Sequence, residues 1–206
     1  MNVTLFDYGA GNLHSLAKAL EAPATTVRIE TDPRRAVAAG SDVLVLPGVG
    51  AFGAAATRLA PGRDAMRAAI LGGLPTIGIC LGMQLLFDGS DEGEGEGLGV
   101  IHGRVTRLRA VRVPQIGWNG VEPVPSEPLF TAAPLPMVYY ANSYVCRPAD
   151  VDVVTAWTEH EGDRFPAAVR AGRAVGVQFH PEKSSVHGVR FLRAFLDDAR
   201  TMERRQ

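Results

Sequence analysis

The stretch Thr76-Ile77-Gly78-Ile79-Cys80-Leu81-Gly82-Met83-Gln84 decides the fold of this 206-residue chain. Its first four residues form an apolar run typical of a buried strand, and a helical pattern begins after Cys80. A glycine stands two residues before the cysteine and another two residues after it. Side chains at those positions would collide in a tight strand-to-helix turn, so the spacing predicts a nucleophile elbow that carries sulfur.

Cys80 alone leaves two interpretations open. The N-terminus of a helix presents free N–H groups and a positive dipole end, which would stabilise a thiolate and receive an oxyanion. Alternatively, Cys80 is a small apolar residue buried at the end of a strand, because a single G-x-C-x-G pattern also occurs by chance. A nucleophilic thiol needs a base, so the histidines decide between the two.

Of the five histidines, His180 has the most suggestive context. It follows an apolar strand pattern over 174–179 and precedes Pro181 and Glu182. Proline keeps the preceding residue extended, and residues two apart in an extended chain point the same way, so Glu182 could orient the imidazole. Open α/β sheets build their sites at the carboxyl ends of strands. The pattern therefore favours a Cys80-His180-Glu182 triad over a surface turn of unrelated polar residues.

The chain on either side of the elbow predicts an α/β fold. Apolar runs at 3–6, 43–46 and 76–79 alternate with helical patterns such as 13–20. Strands that are apolar on both faces indicate an open, mostly parallel central sheet with helices on both faces. A helix over 189–199 closes the domain. An additional antiparallel or mixed sheet region is expected from the alternating segments 104–113, 137–145, 151–157 and 167–177.

Composition excludes several classes of function. Hydrophobic residues make up 46% of the chain, charged residues 21%, and the formal net charge is -1. These values predict a globular protein without the basic surface that nucleic-acid binding needs. We expect one domain over residues 1–200 and a short charged tail over 201–206.

Targeting, membrane and metal features are also not expected. The N-terminus lacks a basic segment followed by a long apolar stretch, and glycines and Pro75 interrupt the uncharged run 68–87. Two distant cysteines predict no disulfide framework, which favours the reducing cytoplasm. No metal site is predicted, because close ligand spacing is absent among Cys80, Cys146, His180 and Glu182.

The turn Pro47-Gly48-Val49-Gly50 follows the strand pattern 43–46 at the same edge of the predicted sheet. Such a turn can present a backbone N–H to an oxyanion, with the Leu81 N–H as the second donor. It could equally be an ordinary strand-to-helix turn. The acidic, glycine-rich segment 88–97 is typical of a solvated loop, which can still lend a carboxylate to a nearby site.

The chain resembles the class I (triad-type) glutamine amidotransferases in three segments, which are 47–50, 78–84 and 179–182. Within that class, the segments 7–12, 116–119 and 180–185 are similar to the glutaminase subunits of imidazole glycerol phosphate synthase, an enzyme of histidine biosynthesis. The resemblance covers nearly the whole chain and implies a flavodoxin-like arrangement of the sheet.

The resemblance implies a role for each matching residue. Cys80 would be the nucleophile, His180 the acid/base and Glu182 its orienting partner, with hydrolysis of L-glutamine proceeding through a γ-glutamyl thioester. No metal or organic cofactor is implied. The oxyanion hole would be built from Val49 and Leu81, flanked by Gly48 and Gly50. The residues expected to bind glutamine are Gln84, Glu92, Ser143 and Tyr144.

The resemblance also implies a partner, a (β/α)8-barrel cyclase that receives the ammonia in a heterodimer. Residues that would face this barrel are Asn12, Trp118, Asn119, Tyr139 and Lys183. Without the resemblance, Trp118 and Tyr139 would be interpreted equally well as core residues, and Lys183 as a solvated charge. The family further suggests that the turn 48–50 rests with its N–H turned away until the loaded cyclase docks.

Two positions depart from the family pattern, because Gln115 and Asn142 stand where histidine is frequent. Neither belongs to the triad. Three alternative functions remain at this point. They are the glutaminase subunit of pyridoxal phosphate synthesis, against which segments 7–12 and 116–119 argue, a cysteine hydrolase of γ-glutamyl peptides, and a catalytically silent binding subunit.

Overall fold

A computed structural model of the chain describes residues 1–9 and 13–203. The strands in this part of the chain are β1 Asn2–Phe6, β2 Thr26–Glu30, β3 Val43–Leu46, β4 Thr76–Ile79, β5 Gly89–Ser90, β6 Gly103–Arg107, β7 Gln115–Gly120, β8 Glu122–Pro123, β9 Met137–Asn142, β10 Tyr144–Pro148, β11 Val154–His160, β12 Asp163–Ala171 and β13 Ala174–Val177. The α-helices are α1 Leu13–Leu20, α2 Pro33–Ala36, α3 Phe52–Leu59, α4 Arg63–Leu71, α5 Leu81–Leu85, α6 Pro128–Ala132 and α7 Ser185–Glu203. Short 3-10 turns cover Ala60–Gly62, Val151–Val153 and Pro181–Lys183.

The central sheet has eight strands in the order β2-β1-β3-β4-β13-β12-β11-β8. The five strands from β2 to β13 are parallel to one another, and β12, β11 and β8 extend the sheet by antiparallel pairing. The predicted open, mostly parallel sheet is confirmed. Because β3, β4 and β13 are adjacent and parallel, the segments that follow them emerge at one edge.

Helices cover both faces of this sheet, as strands that are apolar on both faces predict. In β3, Val43 and Val45 pack into the cluster that contains α1 and α7, whereas Leu44 and Leu46 pack into the cluster that contains α3, α4 and α5. All four side chains are fully buried. Burial of each contributes about 1.5–3 kcal/mol, so β3 holds the two layers together.

Two smaller sheets complete the fold, as the second half of the sequence predicts. One is mixed, in the order β10-β6-β5, and the other is the antiparallel pair β7-β9. The segment predicted over 167–177 is divided by a turn at Gly172, where φ is +56°, into parts of β12 and β13. No helix in the described residues is long and apolar enough to cross a membrane.

The final helix is longer than the sequence pattern indicates. It begins at Ser185 rather than 189 and continues to Glu203, so the first residues of the expected tail are helical. Its apolar side chains Phe191, Leu192, Phe195 and Leu196 are buried, which confirms that this helix closes the sheet.

Candidate active site

Cys80 lies at the sharp turn between β4 and α5. Its φ of 48° is in the left-handed region, which a residue with a side chain occupies only at a cost. A Cβ added at Gly78 would lie 2.5 Å from the carbonyl oxygen of Gly82, and one added at Gly82 would lie 2.0 Å from that of Leu46. Both glycines are therefore required by close backbone approach, and the predicted elbow is confirmed in its geometry.

The helix after Cys80 is short. The α5 helix has only five residues, so few peptide dipoles align behind the Cys80 sulfur. The thiol itself is 6% exposed and lines a pocket of about 240 Å³. The dipole that the sequence analysis expected behind Cys80 is therefore that of a short helix.

His180 lines the same pocket and is 1% exposed. Its Nδ1 lies 2.8 Å from Oε1 of Glu182, and its backbone N–H donates to the carbonyl oxygen of Tyr139 at 2.8 Å. Burial alone would lower the pKa of His180, but hydrogen bonding to Cys80 and Glu182 and their negative charges raise that pKa to about 9. At neutral pH the imidazole therefore holds a proton between the Cys80 sulfur and the Glu182 carboxylate.

The turn 47–50 forms another wall of the pocket. Gly48, Val49 and Gly50 line it together with Leu81. A Cβ added at Gly48 would lie 2.9 Å from the carbonyl oxygen of Ile79 and 3.0 Å from Cε1 of His180, so only glycine fits there without displacement. Gly50 has a φ of +128°, a conformation that glycine adopts readily.

Tyr8 supports this turn and was not singled out by the sequence. Its buried hydroxyl donates a hydrogen bond to the carbonyl oxygen of Pro47. Burial, with a smaller contribution from the charge of Cys80, raises the pKa of Tyr8 well above its usual value. The hydroxyl therefore remains protonated and able to donate. Tyr8 thus connects the end of β1 to the turn beside Cys80.

The residues expected to bind the substrate lie in this pocket. They are Gln84, Glu92, Ser143 and Tyr144. The Gln84 amide donates to the carbonyl oxygen of Tyr144 at 3.1 Å, and Glu92 accepts the backbone N–H of Phe52 at 2.9 Å. Glu92 lies in the acidic segment 88–97, which the sequence analysis interpreted as a loop that can lend a carboxylate to a nearby site.

The two departures from the family pattern are register partners. Gln115 in β7 lies opposite Asn142 in β9, and both are buried. Asn142 lines the pocket, and its amide donates to the carbonyl oxygen of Tyr144 at 3.2 Å. Neither residue forms a hydrogen bond with the triad among the interactions of the described residues.

Beside the pocket, β7 and β9 present an apolar strand face to solvent, formed by Ile116, Trp118, Met137 and Tyr139. Trp118 is 53% exposed, and its ring meets that of Tyr139 edge-on at 6.3 Å. Lys183 lines the pocket, and its Nζ lies 6.0 Å from the centroid of the Tyr139 ring. The apolar strand face therefore continues to the mouth of the pocket.

Asn119, also expected at the partner face, points away from it. Asn119 alternates away from Trp118 along β7, and its amide donates to the carbonyl oxygen of Glu159 at 2.7 Å. Asn12 lies outside the described residues. Ile116 and Met137, which the sequence did not single out, are exposed on the same face as Trp118.

Gln178 is the second residue of the site that the sequence did not single out. Its side chain is fully buried, and Nε2 donates to the Cys80 sulfur at 3.5 Å.

A larger groove of about 830 Å³, between α6 and α7, contains none of the residues of this pocket. The residues that the sequence predicted for catalysis and substrate binding therefore lie around Cys80 and not in this groove.

Comparison with known proteins identifies the class. Residues 4–199 match the family described as "Glutamine amidotransferase class-I". A solved structure described as a glutamine amidotransferase aligns with a TM-score of 0.72 at 21% identity, covering 96% of this chain and 98% of the other. PurLQS from Thermotoga maritima aligns with a TM-score of 0.68 at 18% identity, covering 96% and 98%. The chain belongs to the class-I glutamine amidotransferase family.

The curated relatives identify a narrower group within this class. The imidazole glycerol phosphate synthase subunit HisH of Symbiobacterium thermophilum is 45% identical over an alignment of 195 residues, which covers 92% of this chain and 91% of the relative. HisH of Pyrococcus furiosus is 43% identical, covering 94% and 97%. Within the class, the chain belongs with the HisH subunits of imidazole glycerol phosphate synthase.

Proposed function

We propose that the chain hydrolyses L-glutamine to glutamate and ammonia, as the glutaminase subunit of an imidazole glycerol phosphate synthase in histidine biosynthesis. The observation that carries the proposal is the strained Cys80 elbow, which shares one pocket with a buried imidazole that is hydrogen-bonded to Glu182. A thiol, a base and an orienting carboxylate in this order are the parts that nucleophilic acyl transfer requires. A cytoplasmic location fits the two free thiols.

The first half of the reaction forms a thioester. The Cys80 thiolate attacks the side-chain amide carbon of glutamine, and the carbonyl π electrons move onto the oxygen. The backbone N–H groups of Val49 and Leu81 stabilise this oxyanion, each by about 3 kcal/mol. When the tetrahedral intermediate collapses, the C–N bond breaks and the His180 imidazolium gives its proton to the departing ammonia.

The second half regenerates the enzyme. The neutral His180 takes a proton from water, and the resulting hydroxide attacks the γ-glutamyl thioester. The C–S bond then breaks, so glutamate leaves and the thiolate is restored beside a protonated imidazole. Glu182 keeps its hydrogen bond to Nδ1 throughout and stabilises the imidazolium whenever it forms. The proposed chemistry uses only side chains and backbone.

The partner that we propose is a (β/α)8-barrel cyclase docked on the apolar strand face, which receives ammonia and forms imidazole glycerol phosphate and aminoimidazole carboxamide ribotide. Exposed Ile116, Trp118 and Met137 form a contiguous apolar surface, which is typical of protein interfaces. A partner docked there would contact a strand that is hydrogen-bonded to the proposed triad. The backbone carbonyl of Tyr139 accepts the His180 N–H, and the backbone N–H of Tyr139 donates to the Ser184 hydroxyl at 2.9 Å.

We further propose that the isolated chain is a weak glutaminase and that the loaded cyclase activates it. In the Gly48-Val49-Gly50 turn, glycines precede and follow Val49, whose N–H is the proposed donor, and the backbone rotation of glycine is less restricted than that of other residues. Full activity of the isolated chain would contradict this activation step and leave the triad assignment intact.

The nucleophile is tested with Cys80→Ala in complex with the cyclase. We expect glutamine hydrolysis to be abolished while synthesis from added ammonium salt persists, because the cyclase still receives its nitrogen. Cys146→Ala is the matched control and should retain glutamine turnover. Glutamine hydrolysis by Cys80→Ala would overturn the proposed function.

A further inference from the structure

Gln178 is held beside the nucleophile by the backbone. Val177 pairs with Ile79 in the last register position of β13 and β4, and the Cys80 N–H donates to the Val177 carbonyl at 2.7 Å. Gln178 therefore follows β13 where Cys80 follows β4. Its own N–H donates to the carbonyl oxygen of Ala167 at 2.9 Å, which fixes the strand end. The position of the Gln178 side chain against Cys80 is thus part of the sheet geometry.

Only one of the two polar atoms of the Gln178 side-chain amide has a hydrogen-bond partner among the described residues. Nε2 has the Cys80 sulfur as its partner at 3.5 Å, whereas Oε1 is buried without a hydrogen-bond partner among the described residues. Burying an unpaired amide oxygen destabilises a fold, and an apolar side chain of similar size would avoid that penalty. Stability therefore does not explain a glutamine at this position, while its contact with the sulfur does.

The other groups around the sulfur show what this contact adds. The Ala141 carbonyl oxygen lies 4.0 Å from Sγ, where it can accept from a thiol but opposes negative charge. The Gln178 N–H has the opposite preference, because a donor favours the thiolate. Among the described residues, the titratable groups that interact with Cys80 or line its pocket are His180, Tyr8, Cys146, Glu92, Tyr144 and Lys183.

We infer that Gln178 is a catalytic residue of the proposed glutaminase reaction: its side-chain amide donates to the Cys80 sulfur, stabilises the thiolate and holds it in line for attack. The inference rests on the proposed function, in which Cys80 is the nucleophile. The imidazolium supplies the charge, and Gln178 supplies a neutral donor from the neighbouring strand that does not move its proton during turnover.

The test is Gln178→Leu, measured in the full chain and in its complex with the cyclase. We expect alkylation of Cys80 by iodoacetamide at neutral pH, and kcat with glutamine, each to fall about tenfold, which is the scale of one hydrogen bond to a charged group. KM and ammonia-dependent synthesis should be unchanged, and Tm should be equal or higher. Gln115→Leu is the matched control, because Gln115 is also a buried amide with an unpaired oxygen, and it should leave alkylation unchanged.

A second measurement covers the case in which Gln178→Leu does not fold. In the Cys80→Ala chain, the side-chain amide proton resonances of Gln178 should shift relative to the unaltered protein, while those of Gln115 stay in place. Unchanged alkylation in folded Gln178→Leu, or unshifted Gln178 resonances, would overturn its role. Retained glutamine turnover in Cys80→Ala would instead overturn the proposed function, so the two failures are distinguishable.

Discussion

At the residue scale, the pKa of His180 governs the proposed chemistry. Burial opposes the imidazolium, but Cys80 and Glu182 outweigh it and raise the pKa to about 9 from an ordinary value of 6.5. A raised pKa means that this ion pair stabilises the fold fully below about pH 6.5, and that the contribution is lost as pH rises through about 9. The acid that protonates ammonia is lost over the same range.

The pH profile of glutamine turnover tests this account. We expect kcat/KM to decline on a basic limb near pH 9, where His180 loses its proton. Glu182→Gln removes a charge that raises the pKa, so the limb should move to lower pH and turnover should fall about tenfold to hundredfold. Glu161→Gln changes a carboxylate outside the pocket and should leave the limb in place. A limb that does not move in Glu182→Gln would contradict the assignment of the base.

Single residues differ in how far the sequence reveals them. Cys80, His180 and Glu182 stand in local patterns of glycine and proline that dictate their backbone, so their positions follow from the sequence. Tyr8 and Gln178 act through contacts with Pro47 and Cys80, which are distant in the chain. Those contacts depend on the register of β13 against β4 and on a turn conformation, neither of which a single sequence specifies.

At the scale of elements, the strand-to-helix turn depends on the absence of side chains. A Cβ at Gly82 would lie 2.0 Å from the Leu46 carbonyl oxygen, so β3 and α5 would have to separate. We expect Gly82→Ala to destabilise the chain by at least about 1–3 kcal/mol, or roughly 2–4 °C in Tm per kcal/mol, and to abolish turnover. Thermal unfolding and a glutaminase assay measure both effects.

The matched control is Gly120→Ala, because a Cβ there would come no closer than 3.9 Å to its nearest neighbour, the Pro136 carbonyl oxygen. This variant should unfold near the temperature of the unaltered chain. A Gly82→Ala protein that unfolds at the same temperature as Gly120→Ala would show that the close approach of the two backbones is not needed.

Elements were predicted where the apolar pattern is strong and missed where it is weak. The strands β1, β3 and β4 are apolar on both faces because they lie in the middle of the sheet. β2 lies at the edge of the sheet, has β1 as its one partner among the described strands and exposes much of its surface, including Ile29. β7 contains two glycines and an asparagine and exposes Trp118, so propensity gives little indication of a strand.

At the scale of the whole molecule, the two faces of the central sheet are used for packing, and one edge carries the candidate active site. Helices bury both faces, the carboxyl ends of β3, β4 and β13 carry the pocket, and the apolar strand face of β7 and β9 stands beside it. The sequence predicted the layers from apolar patterns. It could not place β7 and β9 next to the pocket, because that position depends on the backbone bonds of Tyr139 with His180 and Ser184.

Partner binding is tested on that face. Trp118→Ala should weaken association with the proposed cyclase partner by about 2 kcal/mol or more, roughly thirtyfold in Kd, because aromatic residues at the centre of an interface carry much of its energy. Leu71→Ala, which truncates an exposed side chain on α4, should leave Kd unchanged. Isothermal titration calorimetry measures both. Equal Kd values for the two variants would place the interface elsewhere.

The most direct test of the central claim is the site of reaction with a glutamine-like electrophile, mapped by mass spectrometry of peptides from the cyclase complex. We expect one adduct, on Cys80, that glutamine suppresses. Cys146 is the internal control, because burial raises its pKa well above the usual value and keeps it a thiol. Modification of Cys146 instead, or an unmodified Cys80 in a complex that hydrolyses glutamine, would contradict the account.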